Sequence, residues 1–480
     1  MTATTDVRLS RAAAGLPTPP ARIVHLGLGA FHRAHQAWYT AHAADADDWG
    51  IVAFTGRSRD LADRLTPQDG LFTLVERTAD GDRVELIPSI VRVEAGDDVP
   101  AFVAAVADPK VAILTLTITE AGYRLAADGT PDLEDAAVAS DVDLLRSALT
   151  GDAPGCATDA ARPATALGRV LLALDARRRA GGGPIALVPC DNLPDNGGLL
   201  RRALADLAER TSPDLPAWLR ASVSVVSTSI DRITPAIDAE AESHAVLEAT
   251  GWLDAAPVVT EPFSDWVLEG DFPSGRPVWE FAGATFVDEI TPWENRKLWM
   301  LNGAHTVLAT FGQTRGHTVV SEAIDDPVCK VLVEGLWDDD ARQLPGFDLA
   351  DYRGALVERF RNPRIEHRLA QIAQDSTTKA RLRIVPVALG ERAAGREAPG
   401  CAAAIAAWML GVRAGTAPTP EGIDPAVVAE LDVSTRRALL ATLDPRLAAD
   451  AGFAERVAEA VTALDILNTS RSPTIHGATP

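Results

Sequence analysis

The sequence predicts an α/β protein, a doubly wound parallel-sheet domain followed by a mainly α-helical domain. Three observations carry this. Short, uninterrupted apolar runs alternate with helix-period stretches through the first 285 residues, as expected for strands covered on both faces. The first of these runs ends in a Gly-x-Gly turn that opens a helix. From Glu294 onward only helical patterns remain. The expected division is therefore 20–285 for the sheet domain and 286–480 for the helical one.

In order, a Pro-containing leader precedes Arg22–Gly29, a buried strand entering the glycine turn, and Ala30–Trp38 continues as a helix. Such a turn offers backbone N–H groups and a helix N-terminus to a pyrophosphate. Gly27, Gly29, Phe31, His32 and Arg33 are the candidate cofactor residues, with His32 standing where a third glycine is usual. Gly50–Thr55 is the second strand. A carboxylate at its end would hold an adenosine ribose 2′-OH, and a cation would meet a 2′-phosphate. Asp60 fits the first role and Arg57 or Arg59 the second, which leaves NAD(H) expected and NADP(H) open.

Phe72–Arg77 and Val84–Pro88 read as a hairpin turned at Asp80-Gly81. Val111–Leu116 and Ile185–Pro189 read as buried strands, and residues 163–180 as a helix. Ligands in open parallel sheets sit beyond the carboxyl ends of strands, which places Asn192 well for a substrate. Ser222–Ser227 is a further strand, followed by Asp231-Arg232-Ile233-Thr234-Pro235. Residues 263–288 read as short strands and loops. The expected later helices cover 318–335, 349–361, 363–374, 398–413, 425–431, 434–443 and 453–466.

The chemistry concentrates in Trp293–His305. This stretch reads as a helix apolar almost all round, hence buried, yet it carries Glu294, Lys297, Asn302 and His305. At about 100° per residue, with Lys297 at zero, Glu294 falls near about 60°, His305 near about 80° and Asn302 near about 140°. All four fit one side. Lysine is scarce: of 45 basic residues only Lys110, Lys297, Lys330 and Lys379 are lysines. Arginine cannot give up its proton in a protein, whereas a desolvated lysine can, so Lys297 is a candidate general base.

Composition narrows the function classes. The 480 residues give ample core, and the formal charge of −22 with no basic stripe argues against nucleic acid and anionic membranes. Cys156, Cys190, Cys329 and Cys401 form no CxxC pair, so neither a disulfide framework nor a structural zinc site is expected. No run approaches the ~18 apolar residues of a membrane span, and the N-terminus has no signal-peptide core. The expectation is a cytoplasmic protein without a metal.

Four motifs, Gly27-x-Gly29-x-Phe31-His32-Arg33-Ala34-His35-Gln36, Cys190-Asp191-Asn192, Asp231-Arg232-Ile233-Thr234-Pro235 and Lys297-x4-Asn302-x2-His305, resemble the polyol-specific long-chain dehydrogenases, the family of mannitol 2-dehydrogenase and fructuronate reductase. The resemblance spans roughly residues 20–470. It implies a Rossmann-type NAD(P)-binding domain and metal-independent hydride transfer on a secondary alcohol. Lys297 would be the base, Asn192 and Asn302 would hold the substrate oxygen, His305 would orient substrate and lysine, and Glu294 and Asp231 would tune and relay protons. A linear polyol with its 2-keto sugar, of the mannitol/fructose type, is the first expectation, and mannonate/fructuronate the alternative. Lys379 and Arg383 are candidates for substrate hydroxyls or a carboxylate. The family's late Asp-Gly-Ser-x-Lys segment reads here Asp375-Ser376-Thr377-Thr378-Lys379, without the glycine, and Ala121 stands where the family often has a lysine. The resemblance leans towards a monomer.

Overall fold

In the computed structural model the described residues are 7–56, 58–149 and 162–469. Arg57 and Cys156 lie outside them. The chain divides into two compact units, Met1–Thr291 and Pro292–Pro480.

The first unit is built on six strands, β1 (Ala21–Leu28), β2 (Gly50–Thr55), β3 (Ile90–Glu94), β4 (Ile113–Leu116), β5 (Ile185–Pro189) and β6 (Val223–Val225). They lie in the order β3-β2-β1-β4-β5-β6, and every pairing is parallel. This is the doubly wound dinucleotide-binding order, in which direction reverses between the first and fourth strands. The apolar runs are buried because helices cover both faces, one core gathering Leu114, Leu171 and Leu204 and the other Ile51, Ile113 and Val188.

The hairpin forms as expected, Phe72–Thr78 against Gly81–Ile87, and takes Val258–Thr260 as a third strand. The strand expected over Ser222–Ser227 is in fact two. Val223–Val225 ends the parallel sheet, and Ser227–Asp231 pairs antiparallel with Asp265–Glu269 in a separate sheet. The Ala30–Trp38 helix is also divided: Ala30–Ala34 and Gln36–Ala41 meet at His35, whose φ of −120° and ψ of −90° interrupt the helix.

His25 of β1 is wholly buried between Thr115 and Thr117, its two ring nitrogens 2.9 and 3.1 Å from their hydroxyls, and His32 stacks on it with ring centroids 3.3 Å apart. Burial lowers the His25 imidazole to about 3, against a usual value of 6.5, and pushes His32 well down too, helped by His25. An unfolded chain takes up protons at these histidines near about 6.5, whereas the folded one does not until far lower. Their contribution is therefore whole above about pH 6.5 and falls as pH drops, at about 1.4 kcal/mol per pH unit for each histidine, that of His25 until about 3. The melting temperature is expected to fall between pH 7 and 5, and less steeply in His25→Gln. Equal slopes in the two proteins would refute this.

The second unit is all helix among its described residues. The helix Asn302–Thr314 is its axis, buried from Gly303 through Gly312. Around it lie Pro327–Gln343, Leu369–Ile372, Ser376–Arg383 and Pro399–Ala414, and Ala451–Thr469 packs on the last of these. Pro399–Ala414 is apolar all round, and all but four of its residues are buried. Two expectations differ. Helix 318–335 is broken at Asp326, whose carboxylate caps the helix begun by Pro327. Of 363–374, only Leu369–Ile372 is α-helical, while Ser376–Arg383 and Val385–Ala393 were not foreseen.

Candidate active site

In the first unit the candidate site is the carboxyl end of β1 and β4, where the strand order reverses. Gly27 has φ +111°, a left-handed conformation, and a Cβ there would lie 2.4 Å from the Thr117 carbonyl oxygen. Thr117 Oγ1 donates to the Gly27 carbonyl at 2.7 Å, which locks the turn against the strand beside it. Gly29 is different. A Cβ there would meet only the Gly27 oxygen, at 3.7 Å, and would otherwise project into open space. The turn is thus tight behind and open in front, a cradle that a side chain would fill. Phe31 is half-buried and stacks on His35 at 5.0 Å.

His32 is 0% exposed and Arg33 6%, so both side chains are packed inside rather than standing open at the turn. Arg33 instead donates to the Ala256 carbonyl and, through Nε at 3.3 Å, to Gly29. Burial lowers its guanidinium to about 10, offset in part by buried Asp254. Both residues shape the turn from behind. Asp60 is exposed at the first turn of Asp60–Leu65, and Arg59 pairs with Asp97 at 3.1 Å on the surface.

Asn192 is exposed just beyond β5. Its neighbour Asp191 is buried and accepts hydrogen bonds from the Tyr123 hydroxyl and, at 3.0 Å, from Leu193 N–H. Sequence reasoning missed Tyr123 and also Asn196, whose amide bonds both Thr228 and the Asp191 carbonyl. An aromatic hydroxyl and an amide closely following two strand ends were the available signal. Asp231 ends its strand opposite Asp265. Beside it, buried Arg232 donates to Ala34 O at 2.7 Å and Glu261 O at 3.2 Å, and its guanidinium lies over Trp38. The arginine of this motif holds the fold together near Asp231.

In the second unit, Thr291–Arg296 is α-helical, Lys297–Leu301 is a π-helical turn, and the α-helix resumes at Asn302. The Asn302 N–H reaches the Lys297 carbonyl, five residues back. A single π turn acts as one inserted residue and rotates the helix beyond it by about 100°. Relative to Lys297, Asn302 then moves from about 140° to about 40°, and His305 from about 80° to about −20°. The π turn thus gathers lysine, amide and imidazole onto a narrower stripe than a plain helix allows. The buried indole of Trp337 donates to the Met300 carbonyl at 2.8 Å and satisfies one displaced acceptor.

Lys297 and Glu294 are half-buried, not buried as the apolar pattern suggested, because this segment is only partly covered until Met300. His305 is buried against Phe360 and His367, with ring centroids 4.8 Å away in each case. Desolvation, then the charges of His367, Arg359 and Arg383, push its pKa well down, so it is neutral at physiological pH. Within the described residues the side chains of Asn302 and His305 make no hydrogen bond, and neither has its polar atoms sealed from solvent.

Lys379 and Arg383 lie on Ser376–Arg383. Lys379 Nζ donates to Ile372 O at 2.9 Å and Gln374 O at 2.6 Å, which ties it to the preceding loop. Arg383 Nη1 donates to the Asn302 carbonyl and to Thr306 Oγ1, both at 3.1 Å. No group of three or more His, Cys, Asp or Glu side chains among the described residues could hold a metal. A cavity opens among Pro20, Arg22, Lys110 and Ser274, at the amino ends of β1 and β4, and contains none of these groups.

The family models for the mannitol dehydrogenase Rossmann domain and C-terminal domain match residues 21–281 and 289–436. The chain belongs to the mannitol dehydrogenase family. It is 35% identical over 381 residues to the D-mannonate oxidoreductase of Escherichia coli (strain K12), covering 77% of this chain and 75% of that one. It is also 35% identical over 399 residues to the mannitol 2-dehydrogenase of Cereibacter sphaeroides, 80% of each. Among solved structures it is similar to Pseudomonas fluorescens mannitol 2-dehydrogenase in ternary complex with NAD and D-mannitol. There the TM-score is 0.71 at 31% identity, covering 97% of this chain and 100% of that one.

Proposed function

We propose that this mannitol dehydrogenase family member is an NAD(H)-dependent, metal-independent oxidoreductase that interconverts a linear polyol or aldonate with its 2-keto sugar or keto-uronate. The observation that carries the reading is the π-turned stripe of Lys297, Asn302 and His305, with amide and imidazole open beside the lysine. Bound at the open front of the Gly27–Gly29 turn, the nicotinamide cofactor would accept or supply the hydride. Lys297 takes the hydroxyl proton as the carbonyl forms. The Asn302 amide N–H donates to the oxygen while it carries negative charge. Neutral His305 orients a substrate hydroxyl without adding charge of its own. Glu294, one turn before Lys297, steadies the lysine's protonation, and the resemblance adds Asn192 as a second amide and Asp231 as a proton relay. NADP(H) use, a monomeric state and a cytoplasmic location belong to the same reading. No helix of the described residues is long and apolar enough to cross a membrane.

The test follows absorbance at 340 nm with EDTA present, for wild type and Asn302→Ala. NAD and NADP are paired with D-mannitol and D-mannonate, and NADH and NADPH with the keto partners. Wild type should turn over at least one pair, and Asn302→Ala should lose about 10²–10³ in kcat, the effect of removing one oxyanion donor. Silence of the wild type on every pair, or turnover abolished by EDTA, would overturn the reading.

A further inference from the structure

Half-buried Arg383 leaves more of its guanidinium unused than do Arg177 and Arg315. Arg177 uses all three guanidinium nitrogens on backbone carbonyls, those of Val106, Asp108, Val111, Gly183 and Pro184. Arg315 pairs with Asp326 at 2.8 Å. Arg383 uses only Nη1, on Asn302 and Thr306. Its Nε and Nη2 donate to nothing among the described residues, and it has no carboxylate partner there, in a chain with 67 acidic residues against 45 basic ones. Burial alone lowers it to about 10, with no opposing acid. Arg359 and Arg383 both act to keep nearby His305 neutral.

We propose that Arg383 sets the substrate class of this site: a sugar acid, whose carboxylate receives the open edge of the guanidinium while Asn302 holds the reacting oxygen. The inference rests on the oxidoreductase reading above. The same arginine holds the backbone carbonyl of Asn302, the residue proposed to hold the reacting oxygen. A planar guanidinium with a free Nε–Nη2 edge matches a carboxylate bidentately. A neutral polyol would offer only hydroxyls to a half-buried cation that has no anion. Lys379, the other candidate anchor, is already engaged by two carbonyls.

D-Mannonate and D-mannitol form the matched probe pair, since they differ only by a carboxylate in place of a terminal CH2OH. With NAD, or NADP if that is the cofactor used, the wild-type kcat/KM for D-mannonate should exceed that for D-mannitol by about a hundredfold, the scale of a charge-assisted hydrogen-bond pair. Arg383→Met should collapse that ratio by about thirtyfold or more, mainly through KM for the acid, and Arg383→Lys should restore part of it. If the methionine variant does not fold, the wild-type KM for D-mannonate should still rise with salt while that for D-mannitol does not. A ratio near or below one, a ratio unchanged in Arg383→Met, or matching salt responses would overturn the assignment and leave the oxidoreductase reading standing. No turnover of any polyol, keto sugar or sugar acid would overturn both.

Discussion

Replacing Lys297 with alanine is expected to lower kcat by about a thousandfold, within the range for removing a positioned general base. Nicotinamide cofactor affinity, read by quenching of protein fluorescence, is expected to stay within about threefold, because the pyrophosphate is expected to be held by other residues, those of the Gly27–Gly29 turn. The melting temperature should hardly move, since Lys297 is half-buried at a turn whose core contacts are made by Met300 and Leu301. Lys297→Arg should be nearly as inactive, because a guanidinium keeps its proton. Near wild-type turnover in either variant would remove Lys297 from the mechanism.

Substitution of the two turn glycines should separate folding from cofactor binding. Gly27→Ala forces a side chain into φ +111° and against the Thr117 carbonyl, so the whole turn must shift. A loss of about 3 kcal/mol or more is expected, with the melting temperature falling by several degrees. Gly29→Val should fold almost normally, since its backbone is extended, with φ −145°, and a side chain there meets open space. That same side chain would stand where the pyrophosphate is expected, and the cofactor Kd should rise by about a hundredfold or more, as for a lost charged hydrogen-bonding site. If Gly29→Val binds cofactor as wild type does, the turn is not the cofactor cradle.

Sequence and structure agree best where local chemistry is repetitive. Continuous runs such as Ile185–Pro189 could be read as strands because a doubly covered parallel sheet needs apolar residues on both faces. The glycine turn was legible because a left-handed residue packed against a neighbouring strand admits no side chain. Lys297, Asn302 and His305 stood out by their chemistry in an apolar stretch. The burial of His32 and Arg33 was not legible, because local sequence does not show which way a polar residue next to a glycine turn points. Nor were the partners of Lys379, the carbonyls of Ile372 and Gln374, in a stretch expected to be helical throughout.

The sequence by itself determined the element types, the glycine turn and the chemical identity of the lysine–amide–imidazole set, since these follow from side-chain chemistry and short-range periodicity. Tertiary structure alone decided the π turn that brings the set into phase, the burial that keeps His305 neutral, and the open edge of Arg383. Each depends on which groups from distant segments pack together: Trp337 on the Met300 carbonyl, His367 and Phe360 on His305, and the Asn302 carbonyl on Arg383. No local pattern encodes those partners, because they are chosen by how whole helices fill space.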